Sequence, residues 1–156
     1  MDLGIERREL ESERVLAIEL TTSAEHFEAD LSTAFGRLGE VLTEAGALFA
    51  GPGICAHPKR RTPPGRIAAI VAIPFEGEIE PAADMKVMEF SGGSALVGVL
   101  HGPYDQLPEA WAELNSSLAK GERLRAKTAP YDRFLRSMVN VVNSDELITE
   151  LVIPLD

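Results

Sequence analysis

The sequence predicts an α+β fold, with two pseudo-symmetric strand-strand-helix-strand-strand repeats forming a largely antiparallel sheet, two main helices and a central cleft. Three observations predict it. Runs of strand length, alternating or continuously apolar, recur between turn-forming residues, as in Val15 to Leu20, Ile67 to Phe75 and Ala95 to Leu100. Two stretches carry apolar residues at helical spacing: Phe27, Leu31, Phe35, Leu38 and Leu42 in one, and Leu107, Ala110, Trp111, Leu114 and Leu118 in the other. The whole pattern also begins again after about 80 residues.

The elements follow in order. Ile5 to Leu10 reads as a charged strand joined by the polar residues Glu11 to Arg14 to the strand Val15 to Leu20, a hairpin signature. Thr22-Ser23-Ala24-Glu25 has the spacing of a capping box, in which the Thr22 hydroxyl and the Glu25 carboxylate satisfy backbone donors at a helix start. That helix runs to about Ala45, with Gly46 as its stop. Gly51-Pro52-Gly53 and Pro63-Pro64-Gly65 bracket a short extended piece around Ile54 to His57, and Lys59-Arg60-Arg61 reads as a solvated loop tip. An acidic linker, Glu76 to Asp84, follows the strand Ile67 to Phe75.

From there the pattern restarts without a gap. Arg7-Arg8-Glu9-Leu10 aligns with Val87-Met88-Glu89-Phe90, Val15 to Leu20 with Ala95 to Leu100, and Val71 to Phe75 with Leu151 to Leu155. In the helices Phe35, Leu38 and Leu42 meet Trp111, Leu114 and Leu118 at an offset of about 76, and a longer loop, Leu135 to Glu146, restores the register. Gly102-Pro103 turns the chain from a strand into the second helix, and Ala129 to Phe134 is the short strand after it. Gly98, opposite Ile18 in the repeat, marks close approach of another group. One domain over 1–156 is expected, with repeat 1 over 1–80 and repeat 2 over 81–156, each half needing the other to cover apolar surface.

The 156 residues are 45% hydrophobic, enough for a core and too apolar for a disordered chain. With 15 Lys and Arg against 25 Asp and Glu the formal charge is -10, a field that repels phosphate backbones and anionic membranes. Direct nucleic-acid binding and membrane association are therefore not expected. The single Cys55 excludes an internal disulfide. No apolar run reaches a membrane span and MDLGIERREL lacks a signal-peptide core, so a cytoplasmic location is expected.

No catalytic, cofactor or metal motif is present, and His26, His57 and His101 lack ligand spacing, so neither a cofactor nor a metal is expected. The chemistry that stands out is a carboxylate among aromatics. By the two-residue period Asp132 points to one strand face and Tyr131 and Arg133 to the other. In the repeat Asp132 meets Cys55 and Phe134 meets His57, so the acid occurs in one half alone. If it faces the groove between the helices it sits near Trp111, Tyr104 and Phe134, with Phe35 as a further lining residue, a set that suits an aromatic or lipophilic cation by ring stacking, cation-π attraction and charge neutralisation. Glu150, which stands where the first half has Ile70, is the second candidate acid. The plainer readings are a surface Asp132 paired with Arg133, a core Trp111, a Tyr104 that braces the turn and a solvent-facing Glu150.

Glu89-Phe90-Ser91-Gly92-Gly93, the corner His101-Gly102-Pro103-Tyr104, then Leu107, Trp111, Tyr131 to Phe134 and the closing Thr149 to Pro154 resemble the GyrI-like effector-binding family across essentially the whole chain. The resemblance implies two strand-helix-strand-strand modules around a cleft that binds small molecules. In regulators the module is fused to a DNA-binding domain and reads lipophilic, often cationic, drugs, whereas this acidic chain resembles the stand-alone members. The family's cleft carboxylate is usually a Glu, and the matching position here is Asp132, one methylene shorter. A small amphipathic ligand held for sensing or sequestration is thus the leading expectation. The alternatives are a hydrolase of strained, cyclopropane-type electrophiles, with Asp132 or Glu150 handling water, and a gyrase-directed interaction with a protein partner.

Overall fold

A computed structural model describes residues 3–59, 61–118, 129–137 and 142–156. The chain runs β1 (Gly4–Leu10), β2 (Glu13–Thr22), α1 (Phe27–Glu44), β3 (Leu48–Phe49), β4 (Gly53–Ala56), β5 (Ile67–Glu76), β6 (Met85–Phe90), β7 (Gly93–His101), α2 (Leu107–Ser116), β8 (Tyr131–Arg136) and β9 (Ile148–Pro154). Short 3-10 turns at Tyr104–Gln106 and Ser144–Glu146 precede α2 and β9. The chain divides into two compact units, a contiguous one, Ser12–Ser91, and a composite one made of Met1–Glu11 and Gly92–Asp156. Within each unit the strand pairs are antiparallel.

The repeat holds at the level of individual pairs. Val15 opposes Pro74 on β2 and β5, and Ala95 opposes Pro154 on β7 and β9. Cys55 opposes Val71, and Asp132 opposes Leu151. The expected hairpins, however, are replaced by an exchange of strands. β1 pairs with β7, Arg8 opposite Ala95, and β2 pairs with β6, Val15 opposite Met88. The first strand of each sequence half thus lies in the sheet of the other half, and the units differ from the 1–80 and 81–156 repeats by that exchange.

In the contiguous unit the strands run β4-β5-β2-β6, with β3 also on β5. Helix α1 buries Ala34, Leu38 and Leu42 against Leu16, Ile18, Val71, Ile73 and Phe75. Alternate residues of β5 on its other face, Ala68, Ile70 and Ala72, are buried too, which is why this strand reads as a continuous apolar run. The helix ends as expected: Gly46 takes φ +72, its N–H reaches the Thr43 carbonyl and that of Ala47 the Leu42 carbonyl, a Schellman stop. Its start differs. Thr22 remains in β2 and its hydroxyl donates to Asp30 Oδ2 at 2.5 Å, so the capping box does not form and the helix begins at Phe27.

An exposed pair ties α1 to the segment before β6, with Arg37 donating to both Asp84 oxygens, Nη2 to Oδ1 at 2.9 Å. The Arg37 hydrogen bond holds the Asp84 carboxyl below its ordinary 3.8, against a smaller opposing effect of burial. A lowered folded-state value means this contribution is whole above the ordinary value and is lost as pH falls through the folded one. Asp84→Asn is therefore expected to be slightly less stable than the wild type at neutral pH, and the gap in urea midpoint should close below about pH 4. A gap that persists into acid would contradict this.

In the composite unit the order is β1-β7-β9-β8. Helix α2 buries Ala110 and Leu114 against Leu96, Leu100, Leu151 and Ile153, with Leu3, Ile5, Leu107 and Trp111 at the margin. Its entry is set locally. Gly102 adopts φ +137, a conformation that side chains oppose, and its N–H reaches the Leu147 carbonyl at 2.9 Å. Pro108 then falls in the first helical turn, where a missing N–H costs nothing. The close approach expected at Gly98 is that of Leu3 and Leu114: a Cβ there would lie 3.1 Å and 3.3 Å from their methyl carbons. No helix among the described residues is long and apolar enough to cross a membrane.

Candidate functional site

The candidate site is built on the helix-covered face of the composite unit's sheet. Asp132 opposes Leu151 and Phe134 opposes Thr149, so the strand period puts Asp132, Phe134, Thr149, Leu151 and Ile153 on one face, the face on which α2 packs. Asp132 is 4% exposed. Its Oδ1 accepts a hydrogen bond of 2.9 Å from the Trp111 indole N–H, which α2 presents from the turn before Leu114. Tyr104, from the 3-10 turn, meets Phe134 edge-on, with ring centroids 5.8 Å apart and planes at 74°. Trp111, Tyr104 and Phe134 are each half-buried. The sheet thus offers a buried carboxylate oriented by an indole and, two residues along the strand, a pair of crossed rings.

Glu150 lies on the other face of this sheet, and Phe35 is in the contiguous unit. Glu150 opposes Arg133 and therefore faces away from α2. It is 6% exposed, so it does not face solvent. It accepts a hydrogen bond from Arg8 of the exchanged strand and has Arg133 Nε 3.9 Å from its Oε1. Burial pulls the Arg8 guanidinium down, but the hydrogen bonds to Glu150 and Glu6 outweigh it and hold Arg8 above its ordinary value. This is a structural ion pair tying β1 to β9. Phe35 belongs to the contiguous unit, where it packs on the α1 core with its ring over Gly53; a Cβ on Gly53 would lie 2.7 Å from that ring. Sequence reasoning passed over Thr149, whose Oγ1 is fully buried without a hydrogen-bond partner. The one signal for it was the apolar Ala69 at the matching place of the first half. Among the described residues no cluster of three or more His, Cys, Asp or Glu is placed to hold a metal.

A family model described as the GyrI-like small molecule binding domain matches residues 5–156. The chain belongs to the GyrI-like family. Several solved structures share its fold. This GyrI-like chain superposes on the EcmrR C-terminal domain with a TM-score of 0.85 at 16% identity, covering 100% of this chain and 99% of that one. Against EcmrR in a DNA complex the TM-score is again 0.85 at 15% identity, over 99% of this chain and only 57% of the EcmrR chain. SAV2435 bound to tetraphenylphosphonium matches at 0.62 and 13% identity, over 98% and 94% of the two chains. A protein from Listeria innocua described as a hydrolase matches at 0.65 and 11% identity, over 97% and 91%. At these identities the likeness is one of fold. No curated protein matches.

Proposed function

We propose that this GyrI-like chain binds a lipophilic aromatic cation at Asp132, Trp111, Tyr104 and Phe134, and that it acts by sensing or sequestering that ligand. The observation that carries the reading is the Asp132 carboxylate, buried to 4% exposure yet bonded to a half-buried indole and close to two further rings. A carboxylate attracts a cation by charge and aromatic faces attract it by their quadrupole, so one ligand engages both. The formal charge of -10 draws cations toward the molecule. SAV2435, similar in fold, is bound to such a cation. The Trp111 N–H orients the carboxylate through Oδ1, as suits a fixed counter-ion for a bound cation.

Titration with tetraphenylphosphonium is expected to quench Trp111 fluorescence saturably, since Trp111 is the only tryptophan. Asp132→Asn keeps an acceptor for the indole and removes only the charge, and should weaken binding by at least about ten-fold. Unchanged affinity in that variant, or the absence of saturable quenching in the wild type, would overturn the reading.

A further inference from the structure

We infer that Thr149 contacts the ligand, and that the ligand class is therefore an aromatic cation that also carries a hydrogen-bonding oxygen or nitrogen on the side facing β9. The inference rests on the binding reading above and sharpens it. Thr149 is 0% exposed and its Oγ1 has no hydrogen-bond partner. A hydroxyl so placed has given up water and gained nothing in return, whereas valine has the same shape without that loss. The first half shows what the fold alone asks for at this position. Thr149 opposes Leu100 on β7, and the matching Ala69 opposes Leu20 on β2. An apolar residue completes the strand there.

The orphan hydroxyl is also well located. Thr149 is the direct strand partner of Phe134 and the diagonal neighbour of Asp132 on the same face. The two places where this face turns polar against its counterpart, Asp132 for Cys55 and Thr149 for Ala69, are therefore adjacent. Diagonal neighbours of a β-pair have Cβ atoms about 7 Å apart, which sets the spacing between the ligand's charge and its polar atom. The inference requires a rotamer change at the half-buried Phe134, the direct strand partner of Thr149, for a ligand to reach the hydroxyl. A carbonyl is the simplest group to accept the Thr149 O–H, and forming that bond repairs the unmet donor in the complex only.

The experiment compares two probes by Trp111 fluorescence, tetraphenylphosphonium and (4-acetylphenyl)triphenylphosphonium, which adds a carbonyl to the same cation. The wild type is expected to favour the acetyl compound by about ten-fold in Kd. In Thr149→Val the ratio of the two constants should fall to about one, and Thr149→Ser should restore much of it. The Tm of Thr149→Val should equal or exceed that of the wild type. A wild type that binds both probes alike, or a valine variant that keeps the preference, overturns the inference while leaving the cation reading intact. So does a clear fall in Tm, which would mean that the hydroxyl holds the fold. Failure of the wild type to bind either probe removes the cation reading, and this inference with it.

Discussion

Glu150→Ala is expected to lower stability by about 3 kcal/mol, read as a fall in urea midpoint with an unchanged slope. Glu150 is buried and receives a hydrogen bond from Arg8, with Arg133 on its other oxygen. Truncation removes the carboxylate that Arg8 and Arg133 share, while Arg8 keeps its bond to Glu6. The two arginine side chains keep 31% and 20% exposure, so water recovers part of the loss and the effect sits at the lower end of the range for broken buried pairs. The fold itself does not need the charges. At the matching strand positions the contiguous unit carries Met88, Ile70 and Ala56. The triple variant Arg8→Met, Glu150→Ile, Arg133→Ala writes that apolar set into the composite unit and is expected to be as stable as the wild type or more so. A neutral Glu150→Ala would show that the ion pair holds nothing.

Leu114→Ala is expected to cost about 4 kcal/mol, toward the upper part of the range for leucine truncation in a core. Leu114 is fully buried beneath α2, and its Cδ1 lies 3.3 Å from where a Cβ of Gly98 would stand. The helix therefore packs on bare backbone, and no side chain at Gly98 can lean into the void. Leu38, its counterpart, is also fully buried, but Ile18 occupies the place of Gly98 and belongs to the same cluster. Leu38→Ala should accordingly cost less than Leu114→Ala. Denaturant midpoints of the two variants check the order, and a reversed order would refute the packing argument.

The elements and the repeat were legible because each strand and helix carries its own periodic pattern, and because Val71 to Phe75 and Leu151 to Leu155 align without a gap. The exchange of β1 and β6 was hidden for the same reason. Arg7-Arg8-Glu9-Leu10 and Val87-Met88-Glu89-Phe90 are copies of one strand, so either fits beside β2 or β7, and alternation says nothing about which copy goes where. Two residues, Leu48 and Phe49, are too few to show a period, and β3 went unseen. The capping motif at Thr22 was overridden by the continuation of β2 against β5, where Thr22 opposes Ile67. At the site, the strand period separated Asp132 from Tyr131 and Arg133, but which of the two faces meets Trp111 is fixed by the packing of α2. The far side of the sheet for Glu150 follows from the same period, since Leu151, the partner of Asp132, is its next residue on β9 and successive residues alternate faces. Thr149 was overlooked because threonine is an ordinary strand former, and a missing hydrogen bond leaves no trace in sequence.

The exchange of strands also orders the way the protein is made. The contiguous unit is a single stretch, Ser12–Ser91, and is complete once that stretch has been synthesised. The composite unit is not. Its β1 is made first but pairs with β7, some 80 residues later, so an edge strand rich in charge waits for its partner to emerge. Arg7, Arg8, Glu6 and Glu9 suit that wait, since an open edge bearing both signs of charge is poorly disposed to add a stray strand from another chain. Both units close long loops, Glu13 with Phe90 in the contiguous one and Gly4 with Val99 in the composite one, but the later step belongs to the half that carries Asp132 and Trp111.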